Sequence, residues 1–241
     1  MKPSNWLESV NCAVEGLLWA VKTQRHLRWH FGCSLVVLLL AHFLGLSALE
    51  FILLAFAITL VIFAELINTA VEVVVDLVSP EFHPLAKRAK DVAAGAVLIA
   101  SAGAVVMGFF ALSRYVFPLF GQQLDQLGAA PGEFPVVSVL VVTILVVLLK
   151  AWTGRGTPLH GGMPSGHAAV AFSIATAVVL SGGGVVLSLA ALALASMVSH
   201  SRLLLGIHSV WEVLVGAGLG ILVTVLIYVL CLSWAVLGNR I

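Results

Sequence analysis

The chain has 241 residues, 61% of them hydrophobic and only 10% charged, with a formal net charge of +1. Its mean hydropathy of +1.13 excludes an ordinary soluble domain and makes lipid the solvent for most of the chain. The near-neutral balance, without a basic cluster, excludes nucleic acid as a partner.

In chain order, the first element is amphipathic. Trp6, Leu7, Val10, Val14, Leu17, Leu18 and Val21 recur at helical spacing, and Glu8 and Glu15 interrupt any signal-peptide core. The pattern predicts a helix lying on a membrane surface. Seven apolar segments follow, at 31–49, 51–78, 92–113, 134–151, 167–181, 184–200 and 209–232. The fifth and sixth are short against the ~20 residues that a spanning helix needs. The one long polar interval, 114–133, is rich in Gly, Pro and Gln and reads as a linker. Cys12, Cys33 and Cys231 stand far apart, with neither metal-ligand spacing nor a disulfide framework.

With the N-terminus inside and seven spans, the inner side collects Lys2, Lys22, Arg25, Arg28, Lys87, Arg88, Lys90, Lys150, Arg155 and Arg202. The outer side keeps Arg114 and Arg240. That asymmetry predicts a cytoplasmic N-terminus in a multi-pass protein of a bacterial inner membrane.

The second apolar segment ends in AELINTAVEVVVD. On a helix, Glu65, Asn68, Glu72 and Asp76 fall within an arc of about 80°, a stripe roughly 16 Å long. Ionisable residues at membrane depth are costly and mark function. Carboxylates with an amide can hold a hard cation and phosphate oxygens, and a further carboxylate can take a proton from an alcohol. Lys87, Arg88, Lys90 and Asp91 follow in the next loop, at the start of the third span, and cations beside carboxylates suit nucleotide phosphates. Polar contacts between helices and positive-inside anchoring are the bland alternatives.

ELINTAVEVVVD followed by HPLAKRAKDVAAGAVLI resembles the prokaryotic diacylglycerol kinase and undecaprenol kinase family, over about residues 8–113. The resemblance implies a small homotrimeric lipid kinase using ATP and Mg²⁺, with sites shared between subunits. It implies Glu65 as general base, supported by Asn68. It implies Glu72 as metal ligand, and Asp76, Lys90 and Asp91 as nucleotide-binding residues. Upstream, KTQRHLRWH resembles the family's N-terminal motif, with Gln24 where many members carry a metal-binding Glu.

A second constellation follows the linker: KAWTGRGTPLHGGMPSGHAAVAF, then SHSRLLLGIHSVWE. Pro164-Ser165-Gly166-His167 opens a helix, and helix-start amides with a hydroxyl make an anion cradle. His167 there can protonate a leaving oxygen. His208 and Glu212 are four residues apart, one above the other on a helix, so a carboxylate stands behind an imidazole. Arg202 can fork onto phosphate. PSGH with SR-x5-H-x3-E resembles the type 2 phosphatidic-acid phosphatase superfamily, over about residues 134–232. The resemblance implies a phosphatase that needs no cofactor. His208 would be the nucleophile, oriented by Glu212, with His167 as general acid. Lys150, Ser165, Gly166 and Arg202 would hold the phosphate. Thr157 stands where the family has Arg before Pro158, and Arg155 is the candidate substitute. Glu212 replaces an Asp.

The expected fold is an all-α polytopic membrane protein. A surface helix and three-span lipid-kinase bundle occupy 1–115, an extracytoplasmic linker 116–133, and a phosphatase bundle of about four spans 134–241. The threading puts both sites at the cytoplasmic face, whereas phosphatases of this superfamily commonly work outside. Undecaprenol phosphorylation and undecaprenyl-pyrophosphate hydrolysis then converge on undecaprenyl phosphate. Diacylglycerol kinase joined to a phosphatidate phosphatase, a chain with one active half, and a transporter or lipid-binding scaffold are the alternatives.

Overall fold

A computed structural model describes residues 5–116, 133–154 and 161–238. It divides into two compact units, Met1–Pro118 and Leu119–Ile241. Among the described residues all regular structure is helical. Most of the linker segment, with Arg155 and Thr157, lies outside the described residues.

Among its described residues the first unit has four helices. Helix α1 (Trp6–Thr23) starts where Asn5 Oδ1 accepts the Glu8 amide at 2.9 Å, a standard N-cap. Trp6, Leu7, Val10, Val14 and Leu18 are exposed along it, the face a surface helix presents to lipid. Helix α2 (Arg25–Phe43) begins one residue later. Arg28 Nη1 reaches back to the Val21 and Lys22 carbonyls at 3.1 and 3.0 Å, satisfying acceptors that the end of α1 leaves open. Helix α3 (Ala48–Val78) opens on a capping box between Ser47 and Glu50. Helix α4 (Pro84–Val116) pairs with it. Ala41, Leu54 and Ala111, from α2, α3 and α4, form a buried core.

The second unit holds α5 (Phe134–Thr153), α6 (Gly166–Leu180), α7 (Gly184–Leu204) and α8 (Val210–Gly238). Val142 and Val146 of α5 pack with Ala169 of α6, covered by Leu219 and Val223 of α8. The α6–α8 contact is the closest in the unit. A Cβ on Gly216 would stand 2.4 Å from the Ser165 carbonyl oxygen, and one on Gly220 would stand 2.2 Å from that of Ala169. One turn further along, the Ser173 and Thr224 hydroxyls bond at 2.8 Å, both buried. Small residues let helix backbones approach in lipid, where van der Waals packing and interhelical hydrogen bonds replace the hydrophobic drive.

The helices differ in detail from the sequence expectations. Among the described residues five helices, α3, α4, α5, α7 and α8, have the length and apolarity of a membrane-crossing helix, and α2 and α6, the other two of the seven expected spans, fall short of that measure. Helix α2 has 19 residues, but Arg25, His26, Arg28 and His30 load its first turns with polarity. Helix α6 has 15 residues, roughly 22 Å. Helix α4 starts at Pro84 rather than near 92, because proline suits the first turn and the charged residues after it are good helix formers. Lys87, Arg88, Lys90 and Asp91 therefore sit on a helix rather than in a loop.

Candidate functional sites

In the first unit α3 is continuous from Ala48 to Val78, so the stripe is a single helical face. Glu65 is 6% exposed. Its Oε1 lies 3.0 Å from His30 Nε2 on α2. Asn68 Nδ2 donates to Glu72 Oε1 at 2.9 Å, leaving the buried Asn68 Oδ1 without a hydrogen-bond partner among the described residues. Asp76 Oδ1 accepts from Lys90 Nζ, joining α3 to α4. Lys87 Nζ donates to Asp91 Oδ2 at 2.9 Å along α4. Asp76, Ser79, His83, Lys87, Lys90 and Asp91 line an open cleft of about 300 Å³. Gln24 is the half-buried junction of α1 and α2, and its side chain makes no hydrogen bond to the stripe among the described residues.

The second unit assembles its own set. Helix α6 opens at Gly166, whose Cβ position would press on Val146 at 3.2 Å. Ser165 is the N-cap residue, yet its hydroxyl makes no cap bond; it is fully buried with no partner among the described residues. A buried hydroxyl left open costs on the order of 1–3 kcal/mol, so an N-cap serine that does not cap is a departure from the usual role of that residue. Arg202 Nε, near the end of α7, is likewise buried and unpaired among the described residues. Lys150 Nζ donates to the Gly161 carbonyl at 3.2 Å. His167, exposed at the start of α6, lies within electrostatic reach of Arg202, His208 and Lys150. Four cationic or protonatable side chains thus converge on the start of one helix.

His208 is 6% exposed, and its Nδ1 lies 2.7 Å from Glu212 Oε2. The sequence placed both on a helix. In the structure His208 precedes α8, and Ser209 supplies the cap. Glu212 N donates to Ser209 Oγ at 3.4 Å, and Ser209 N to Glu212 Oε2 at 3.3 Å, a reciprocal capping pair. The turn before it is held by the His208 and Ile207 amides on the Arg202 carbonyl, at 3.3 and 3.2 Å. Ser165 N donates to the Glu212 carbonyl at 2.9 Å, tying the PSGH segment to α8.

The profile of prokaryotic diacylglycerol kinases matches residues 11–112, within the first unit. A diacylglycerol kinase of Synechocystis is 46% identical over 105 residues, 43% of this chain and 60% of that protein. The undecaprenol kinase of Bacillus subtilis is 35% identical over 96 residues, 40% of this chain and 78% of that protein. The chain belongs to the prokaryotic diacylglycerol kinase family. A diacylglycerol kinase of Haemophilus influenzae is 36% identical, with 80% of its length covered. The chain thus spans about 60% of the Synechocystis relative and most of the other two. No solved structure matches.

The diacylglycerol kinase family unit has no cluster of three His, Cys, Asp or Glu side chains able to cage a metal among its described residues. Mg²⁺ rarely uses such a cage; it takes one or two carboxylates and completes its shell with water and phosphate oxygens. Glu72, with the open Asn68 Oδ1 beside it, fits that pattern of hard oxygen donors. His30 and Ser209 are the two residues that sequence reasoning overlooked. His30 lies inside the KTQRHLRWH motif, but its partner is 35 positions away. Ser209 was legible as a Ser-x-x-Glu pair ahead of an apolar run.

Proposed function

We propose that the chain is a membrane lipid enzyme with two reactions, one in each unit. The first unit transfers the γ-phosphate of ATP to a lipid alcohol. The second hydrolyses a lipid phosphate or pyrophosphate through a phosphohistidine. The shared product is undecaprenyl phosphate, from undecaprenol by one reaction and undecaprenyl pyrophosphate by the other. Family membership supports the kinase, and the relatives' names cover both diacylglycerol and undecaprenol. The observation that carries the two-reaction reading is the pair of buried open donors, Ser165 Oγ and Arg202 Nε, in the unit where His208 is backed by Glu212. Such donors suit an anionic ligand.

In the kinase step Glu65 takes the proton of the lipid hydroxyl. The oxygen bonds to the γ-phosphorus as the bond to the ADP oxygen breaks. Glu72 and the Asn68 carbonyl oxygen would hold Mg²⁺, and Lys90, Asp76 and Asp91 position the nucleotide. Bound Mg²⁺ supplies charge neutralisation on the phosphate oxygens. In the hydrolase step His208 Nε2 attacks phosphorus while Glu212 fixes the opposite ring nitrogen. His167 protonates the leaving oxygen, then takes a proton from the water that cleaves the phosphorus–nitrogen bond. Lys150, Ser165, the Gly166 amide and Arg202 hold the phosphate oxygens, with Arg155 as a further donor. A homotrimer is part of the proposal; the mass of the detergent-solubilised complex tests it.

Lipid-product analysis of the purified chain tests the function. With ATP and Mg²⁺, labelled phosphate should appear on undecaprenol. Without either, undecaprenyl pyrophosphate should still release phosphate. Phosphate on diacylglycerol but not on undecaprenol, with phosphatidate the preferred hydrolase substrate, would overturn the lipid assignment. Gln24 favours one narrower reading, a weak or silent kinase beside an active hydrolase, because an amide oxygen is a poorer Mg²⁺ ligand than a carboxylate.

A further inference from the structure

We infer that His30 is a positioning residue for the phosphoryl-transfer base: its Nε2–H holds one oxygen of Glu65 and turns the other toward the lipid hydroxyl. The inference rests on the kinase reading above and adds a residue to it.

The Glu65 side chain is 8% exposed, and its contact at 3.0 Å is His30 Nε2. A lone carboxylate at that depth is costly without a donor. An ionised carboxylate can only accept, so in this pair Nε2 is the donor. Binding at Oε1 leaves Oε2 for the alcohol. A base held by one oxygen has a fixed orientation at the other, and such alignment is a large part of the advantage of a bound over a free base.

Two features favour a working role over simple attachment between helices. First, the backbone beneath His30 is braced from both sides. Arg28 clamps the end of α1, and Ser34 Oγ donates to the His30 carbonyl at 2.7 Å. Second, His30 is 30% exposed on its side chain and lines an open apolar groove of about 330 Å³ with Val37, Ala57, Val61 and Ala104. His30 therefore borders space open to an apolar molecule rather than closed core. During transfer the hydroxyl proton goes to Glu65 Oε2, the new oxygen–phosphorus bond forms, ADP departs, and His30 keeps its own proton throughout.

The test uses the geometry of the contact. A glutamine amide reaches about as far as imidazole Nε2, whereas an asparagine amide stops near Nδ1. Purified full-length His30→Gln, His30→Asn and His30→Ala variants are assayed with Mg-ATP and, in detergent micelles, a short-chain prenol or dioctanoylglycerol. His30→Gln should keep kcat within about 3-fold of the parent. His30→Asn and His30→Ala should lose about 10-fold or more in kcat, with the KM for ATP and for lipid within about 2-fold. Thermal unfolding midpoints of the Gln and Asn variants should coincide, since neither opens a large cavity. An Asn variant as fast as the parent, a Gln variant as slow as the Ala variant, or a loss confined to KM would overturn the inference. Glu65→Gln runs alongside. If the parent phosphorylates neither lipid the kinase reading itself fails; if Glu65→Gln stays active the assignment of Glu65 as base fails and this inference with it; if it is inactive while His30→Asn is unaffected, only the role of His30 fails.

Discussion

Glu212 Oε2 lies 2.7 Å from His208 Nδ1 and also accepts the Ser209 amide at 3.3 Å. One carboxylate oxygen therefore both starts α8 and orients the imidazole just outside it. Glu212→Gln should leave α8 capped through Ser209 while weakening the charge behind the ring. The expected result is a loss of about 100-fold or more in phosphate release, with kinase turnover unchanged, read from parallel assays on one preparation. Glu212→Asp, one methylene shorter, should also lose the contact with Nδ1 and fall between the two.

The two reactions should separate by mutation. Glu65→Gln should reduce ATP-dependent lipid phosphorylation by about 100- to 10,000-fold and spare the hydrolase. His208→Ala should do the reverse. A single substitution that stops both would show that the units do not act independently.

Metal removal should divide them too. Excess chelator should abolish lipid phosphorylation, since Glu72 and Asn68 hold ATP phosphates only through Mg²⁺ in the proposed mechanism. Hydrolysis through Ser165, Arg202 and His208 should continue at its full rate. Phosphate release that needs added Mg²⁺ would contradict the metal-free route.

The close approach of α6 and α8 gives a stability prediction. A methyl on Gly216 would meet the Ser165 carbonyl oxygen at 2.4 Å, and one on Gly220 would meet Ala169 at 2.2 Å. Either Ala substitution should cost about 1–3 kcal/mol or force the helices apart. Gly216→Ala should also displace Ser165 and lower hydrolase activity. Thermal unfolding in detergent and the two activity assays read the effects separately.

Sidedness is the remaining prediction. The lysine and arginine asymmetry favours a cytoplasmic N-terminus with seven spans, and that threading predicts the segment 201–208 on the cytoplasmic side. A reporter there should score as internal, and one in 114–133 as external. An external 201–208 segment would move the hydrolase to the other face and end the case for undecaprenyl pyrophosphate met where it is made.

The stripe on α3 and the PSGH start of α6 were legible because both depend on local spacing along one helix. What lay beyond reach depended on neighbours distant in sequence. Hydropathy found the apolar body of α4 but not its charged first turns, so Lys90 was placed in a loop although its bond to Asp76 needs a helix there. His208 was put on a helix because its spacing to Glu212 is helical. The intervening Ser209 takes the cap instead and leaves the ring outside. Gln24 keeps its motif position but sits at a helix junction, away from hydrogen-bonding contact with Glu72 among the described residues. The partnership of His30 with Glu65 joins two helices, and no periodicity within either announces it.

The three successive contacts between α6 and α8 act as a register lock. Gly216, Gly220 and Thr224 meet Ser165, Ala169 and Ser173 in order. Sliding α8 one turn back along α6 would drive the Thr224 side chain against the Ala169 backbone, where not even a methyl fits. Sliding it one turn forward would break the buried hydroxyl pair. Only one alignment satisfies all three, and it is the one that sets Ser165 N on the Glu212 carbonyl. The axial placement of α8 against the PSGH segment is thus fixed by contacts that run from Ser165 to the Ser173–Thr224 pair about two turns away.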